Sequence, residues 1–501
     1  MKRKYDMKHF TYIATVAASL MLSTSCVDLD QEPQSFITDE EYLTNVDQAN
    51  LEKAATALYN DLWSDNYGFN CRLQRLNTCA DDVTHRLLKA NNPLERYHIL
   101  SPSITDNTAD FDTTWKLFYK AICDANILIQ CTVPEDAEAA KAFKAVLGEA
   151  YFVRGLSYFY LVRLYGDVPL YLVNSEATVN MPRTSVAEIY EKAIVPSLKS
   201  AVEMLPTQSR SGYSSTPTKW AAEACLADVY MTMAGWPLKK GQEYYSLAAS
   251  AAKDIIDNSG LFLTPSYADL WKETKKEENN EFMFAIHHSA KQKTASNYGK
   301  SYYPSDFAPN AGWADYYGDK DFFLNYPNDQ RKAWNYMTSW KTSKGTVSWE
   351  NSADQLPCIS KYYDYDEGAA GKSAQANGLT CIYRYADVLL MYAEASTRAT
   401  GNVNAQALQA IQEVQQRAGY SDDQLTTTTN SEAFLTAVFN ERGWEFFAEM
   451  KRWFDLVRLE KVSEKRADKW SGSLFQTEGH YYFPIPYTQI QQTGWTNNSG
   501  Y

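Results

Sequence analysis

The chain has 501 residues, of which 45% are hydrophobic, 22% charged and 14% aromatic, and its formal net charge is −13. Length and apolar content support a sizeable buried core and exclude a disordered, collagenous or coiled-coil chain. The acidic balance, with no basic block to offset it, excludes nucleic acid as a partner, because phosphate binding needs a cationic face.

In chain order the first feature is a leader. Lys2, Arg3, Lys4 and Lys8 precede an apolar stretch from Phe10 to Leu22, the length of a signal-peptide core and too short to span a bilayer comfortably. It ends in Leu22-Ser23-Thr24-Ser25-Cys26, which resembles a bacterial lipobox with its leucine displaced to −4. Cys26 is expected to be acylated and to become the first residue of the mature chain, ordinary secretion being the alternative. Asp28, Asp30 and Glu32 follow, similar to the surface-export signal of Bacteroidota lipoproteins or simply a solvated tether. Residues 1–25 thus read as a signal peptide and 26–40 as a lipidated tether. Removing the leader takes away four basic residues and Asp6, leaving the mature chain near −16.

Residues 41–260 read as helical. The spacing of apolar residues predicts helices over 46–63 and 111–131, and a longer one over 136–165 that is apolar nearly all round from Tyr151 to Leu164. That helix should stop at Gly166-Asp167-Val168-Pro169, and Ser185 to Glu188 has the arrangement of a capping box. Segments 217–234 and 242–258 form a hairpin with a tetratricopeptide-like alternation of small and large residues. A second hairpin runs from Asp387 into 404–418, ending at Gly419. Residues 381–501 form a C-terminal helical region and tail. The fold class is mainly α: tetratricopeptide-like hairpins form a scaffold, with a large irregular loop-rich insert carrying a few short strands.

The insert, residues 261–380, loses helical periodicity, and Glu281 to His288 alternates like a short strand. Between Ser301 and Trp340 stand 12 aromatic residues, 30% of that segment against 14% of the chain. Aromatic faces beside amides and carboxylates suit sugars, whose C–H faces stack on rings while hydroxyls need fixed polar partners. Trp313, Tyr316 and Tyr317 are the rings expected to touch ligand; the alternative is that they replace a regular core beneath irregular loops.

Seven cysteines follow Cys26, an odd number that forbids complete pairing, and buried thiols are the favoured reading. No phosphate loop, dinucleotide fingerprint, zinc-protease motif or nucleophile elbow is present, so no catalytic residue, cofactor or metal ligand is nominated. Adjacent His287 and His288 would point to opposite faces of a strand. Asp364 to Gly368 reads as a solvated acidic turn rather than a calcium loop. A paired-carboxylate glycosidase stays open, since such pairs leave no spacing rule.

Several ordered blocks resemble the SusD/RagB-like family of nutrient-binding outer-membrane lipoproteins. They are Gly148 to Arg154 through Leu161 to Leu170, Arg183-Thr184-Ser185, Tyr383 to Leu390 with Glu394-Ala395, Asn440-Glu441-Arg442, Arg452 to Arg458, and Pro484-Ile485-Pro486. The resemblance implies a non-catalytic surface lipoprotein that binds an oligosaccharide and closes as a lid over a SusC-like TonB-dependent barrel in the outer membrane. It also implies ligand contacts from the acidic step at Asp81-Asp82 and from Arg86, and a buttressing role for Asp329, Arg331, Lys361 and Tyr362. The tryptophan that the starch-binding prototype carries after that step has no counterpart, since residues 87–114 contain none. A surface glycoside hydrolase, a tetratricopeptide-like interaction scaffold and a peptide-binding lid are the alternatives. Arg154, Arg163, Glu441, Glu445, Arg452 and Asp455 lie on apolar helices and should be paired internally.

Overall fold

The computed structural model describes residues 46–63, 73–85, 108–278, 280–308, 311–362, 377–466, 481–499 and 501, and here the helical periodicities become helices within a few residues of their expected bounds. Helix α1 (Gln48–Asp61) starts at Asp47, whose side chain accepts the Asn50 N–H. Helix α2 (Thr108–Ile129) is followed by α3 (Ala137–Tyr165), which is capped by Asp136 and ends at Gly166. From Val146 to Tyr165 nearly every α3 side chain is buried, as a helix apolar all round requires. Helices α1, α2 and α4 (Val195–Met204) all pack on it. The approach of α4 is close enough to demand glycine: a Cβ on Gly155 would lie 2.8 Å from Leu198 Cγ. Ser185 caps the turn leading towards α4 by accepting the Glu188 N–H.

Helices α5 (Lys219–Ala234) and α6 (Gln242–Asn258) form the first hairpin. Eight short strands hold the insert among the described residues. They are β1 (Val83–His85), β2 (Phe282–His287), β3 (Tyr316–Gly318), β4 (Tyr336–Met337), β5 (Ser339–Thr342), β6 (Gly345–Ser348), β7 (Cys358–Ile359) and β8 (Leu379–Arg384). They pair two by two, all antiparallel: β1 with β3, β2 with β8, β4 with β7 and β5 with β6. The alternating segment at 281–288 does fold as a strand, but β2 is buried on both faces, paired along its edge with β8 and in contact with α5. His287 Nε2 lies 2.9 Å from Ser214 Oγ, while His288 Nε2 lies 2.7 Å from Thr380 Oγ1, so the two rings have separate partners. Burial pushes them down to about 4 and about 3, respectively.

Short helices α7 (Lys320–Asn325) and α8 (Gln330–Asn335) complete the insert. After it come α9 (Tyr385–Thr400) and α10 (Ala405–Ala418), then α11 (Ser431–Glu445) and α12 (Arg452–Arg458). Helix α9 packs directly against α6, so the second hairpin continues the stack begun by the first although the whole insert lies between them in sequence. Residues 47–501 accordingly form one unit.

A lattice of buried charges ties the insert to this stack. Arg331 Nη2 bonds Asp329 at 2.7 Å, and its Nη1 bonds Glu441 at 2.5 Å and Glu445 at 2.9 Å. Arg384 bonds Glu281 and Glu449 at 2.8 Å each and also Glu445, which Arg417 reaches too. Lys361 Nζ meets Glu449 at 2.7 Å, and the Tyr362 hydroxyl donates to the Ala448 carbonyl at 2.9 Å. Burial of such ions is tolerable only because each is paired and further hydrogen-bonded. Arg163 stacks on Phe159 and Phe454 and lies 3.7 Å from Asp228, while Arg154 bonds Ser197 and Asn126. Cys79, Cys123, Cys131, Cys225, Cys358 and Cys381 are all free thiols.

Candidate functional site

The aromatic-rich segment builds a floor. Tyr302, Tyr316, Tyr317, Phe323, Tyr326, Tyr336, Trp340 and Trp349 are buried together with Val83 of β1 and Phe447. Rings meet at edges and offsets, as between Phe323 and Tyr336 at 4.9 Å and Tyr302 and Tyr362 at 5.7 Å, geometries favoured by the ring quadrupole. This is a core made without periodicity, and it is closed by polar clasps: the Tyr317 hydroxyl donates to Asp354 at 2.7 Å and the Trp340 N–H to Asp306 at 2.7 Å.

Trp313 stands apart from that floor. Its side chain is 38% exposed, whereas Tyr316 is 3% and Tyr317 2% exposed. The strip that carries it, Gly312 to Asp315, is laced by backbone bonds to Lys300, Ser301, Tyr303 and Pro304, each between 2.8 and 3.0 Å. Gly312 is required there, because a Cβ would lie 2.2 Å from the Tyr303 carbonyl oxygen. Ala314 adopts a left-handed φ of +53°, uncommon for a residue with a Cβ, where the exposed indole gives way to buried β3. The Lys300 ammonium lies 4.9 Å from the Trp313 ring centroid, a cation–π contact that restrains the indole.

The β1–β3 ladder brings the other expected site residues close. Thr84 pairs with Tyr317 and His85 with Tyr316, so Asp82 precedes the strand that faces the two tyrosines. Arg86 lies just past β1, outside the described residues, as do Cys26 and the 364–368 turn. Asp82 itself is buried: its carbonyl accepts the Asp319 N–H at 2.9 Å and its Oδ2 the Ala448 N–H at 3.1 Å. Burial, reinforced by the adjacent Asp81 charge, pushes its carboxyl up to about 7. Burial opposes ionisation of Asp81 as well, but the Arg452 guanidinium, bonded at 2.7 and 3.0 Å, overcomes it and holds that carboxyl below its usual range.

Of the residues expected to touch ligand, Trp313 is exposed, whereas Tyr316, Tyr317 and Asp82 are buried. The irregular insert packs Tyr316 and Tyr317 into its core, and one carboxylate oxygen of Asp82 is taken by the Ala448 N–H. They support the surface on which Trp313 is displayed. Lys300, beside the Trp313 ring, and Asp306, bonded to Trp340, have no spacing in the sequence that distinguishes them from other polar loop residues. A neighbouring cleft of about 340 Å³ is lined by Asp81, Asp321, Asn325, Asn440, Trp444 and Arg452. Among the described residues no group of three or more His, Cys, Asp or Glu is placed to hold a metal ion.

The fold is a helical scaffold carrying an aromatic-rich insert from which the Trp313 indole is exposed. The chain belongs to the SusD/RagB family: residues 264–501 match the model described as the SusD family, and residues 29–231 match one described as starch-binding associating with outer membrane. The SusD family consists of non-catalytic glycan-binding proteins. SusD-like protein P2 of Formosa agariphila is 25% identical across 98% of this chain and 99% of its own. A SusD superfamily protein from Parabacteroides distasonis superposes with a TM-score of 0.76 at 25% identity, covering 93% of this chain and 100% of that one. A laminarin-binding SusD-like protein shares the fold at a TM-score of 0.72 and 20% identity, covering 91% of this chain and 100% of its own.

Proposed function

We propose that this protein is a cell-surface lipoprotein, anchored through Cys26, that captures an oligosaccharide on the Trp313 face and delivers it to a SusC-like TonB-dependent barrel. It breaks no bond. The supporting observation is the pairing of family membership along nearly the whole chain with one exposed indole beside a largely buried aromatic cluster. An indole face excludes water from sugar C–H groups, and polar side chains beside such a ring take the hydroxyls. The laminarin-binding relative supports a neutral glycan as the ligand class.

Two tests address the parts separately. Affinity purification of the full chain from its native outer membrane should recover a large β-barrel, and recovery of the chain alone would refute the lid role. Cys26→Ala should move the protein out of the membrane fraction; a variant still retained there would refute the lipid anchor.

A further inference from the structure

A second polar cleft, of about 450 Å³, lies where the helical scaffold meets the start of the insert. It shares no lining residue with the Trp313 strip or with the Asp81 cleft. Its walls are rich in hydroxyls and amides, among them Gln208, Ser209, Thr216, Ser259 and Asn280, and Tyr213 stands on it with 47% of its surface exposed. The loop carrying Tyr213 is fixed at both ends. On one side Arg210 grips the buried Glu149 carboxylate of α3 at 2.7 and 3.0 Å, and Glu149 in turn accepts the Tyr59 hydroxyl of α1. On the other, the Ser214 carbonyl accepts the Ala285 N–H of β2 at 2.9 Å while Ser214 Oγ meets His287 Nε2. Between these anchors Ser211 Oγ donates to the Tyr213 carbonyl at 3.1 Å and lies 2.9 Å from Thr216 Oγ1.

Such double anchoring fixes the backbone that carries a large amphipathic ring before any ligand arrives, which lowers the ordering cost of binding. The chemistry of the walls selects the ligand. The lysine of the cleft, Lys276, already directs its ammonium to the backbone carbonyls of His288 and Asn377, and Glu277 adds a negative charge, so anions are disfavoured. Hydroxyl and amide groups around one exposed phenol suit a neutral, hydroxyl-rich ligand.

We infer that the Tyr213 cleft is a second neutral-glycan subsite, separate from the Trp313 face, that lets one chain grip a long polysaccharide at two points. The inference rests on the reading that the protein meets glycans, and two contacts on one polymer raise avidity beyond either alone.

The test is affinity electrophoresis of the full mature chain in gels containing laminarin, xyloglucan, xylan or mannan, run for the unmodified protein, Trp313→Ala, Tyr213→Ala and the double variant. Gln208→Trp, which fills the cleft from an exposed lining position, guards against misfolding of a single variant, and thermal melting checks each fold. For a polymer that retards the unmodified chain, Tyr213→Ala and Gln208→Trp should each weaken retardation several-fold, and the double variant should run as in a gel without polymer. Retardation unchanged in both cleft variants but reduced in Trp313→Ala would overturn this inference and leave the proposed function intact. Retardation reduced by the cleft variants but not by Trp313→Ala would support the cleft and overturn the Trp313 assignment. No retardation by any of the four polymers would overturn both.

Discussion

The Asp82 carboxylate accepts the backbone N–H of Ala448 at 3.1 Å, joining the acidic step before β1 to the turn between α11 and α12. Its other oxygen is buried with no hydrogen-bond partner among the described residues. Burial and the neighbouring Asp81 push the folded pKa up to about 7 from 3.8, so between those values the folded state holds a proton that the unfolded chain releases. This contribution to stability is complete below the unfolded value and is lost as pH rises through the folded one. Asp82→Asn keeps the acceptor and removes the titration. The variant should gain stability over the natural protein as pH rises from 4 to 8, on the order of 2–4 kcal/mol at the upper end, measured by urea unfolding. A difference that does not change with pH would contradict the assignment.

The charge lattice predicts a large loss from a single truncation. Glu445 serves Arg331, Arg384 and Arg417, and those guanidinium groups hold its carboxyl far below the usual range despite burial. Glu445→Ala leaves buried cations short of a partner and should cost about 3–5 kcal/mol in chemical denaturation. A cost below about 1 kcal/mol would show that the lattice is well solvated.

How much of this could be read from the sequence follows from the physics of each part. Helices α1, α2, α6, α9 and α10 were legible because burying one face imposes a repeat of 3.6 residues, α3 because it is apolar nearly all round, and Ser185 marks a start that the structure keeps. The packing of α9 on α6 was not legible, since no local pattern reports on a partner beyond an intervening insert. That Glu441, Glu445 and Arg452 would be paired internally followed from their place on apolar helices; which cation meets which carboxylate did not. In the insert the aromatic density was visible, but without a period the sequence could not tell Trp313, which is displayed, from Tyr316 and Tyr317 three and four residues later, which are buried.

The strip that displays the indole depends on Gly312. A side chain there collides with the Tyr303 carbonyl, and the bonds from Trp313 to Lys300 and from Ala314 to Tyr303 must shift. Gly312→Ala should cost on the order of 1–3 kcal/mol and weaken glycan binding, whereas Trp313→Ala, at a half-exposed site, should leave stability within about 1 kcal/mol. Equal stability of Gly312→Ala and the natural chain would mean that the strip is not held as described.

Burial pushes the thiols of Cys79, Cys225, Cys358 and Cys381 up, so little thiolate is available at pH 8. Alkylation of the folded protein followed by peptide mass mapping should leave these four unmodified, and all four should react in denaturant. Modification of the folded chain at any of them would place that cysteine at the surface.

The central claim is glycan capture on the Trp313 face, and calorimetric titration of the mature chain with laminarin and xyloglucan oligosaccharides, too short to reach a second subsite, tests it most directly. At least one oligosaccharide should bind saturably, and Trp313→Ala should weaken it about tenfold, the worth of one well-placed ring. Binding that survives Trp313→Ala unchanged, or an absence of binding by either class, would contradict it.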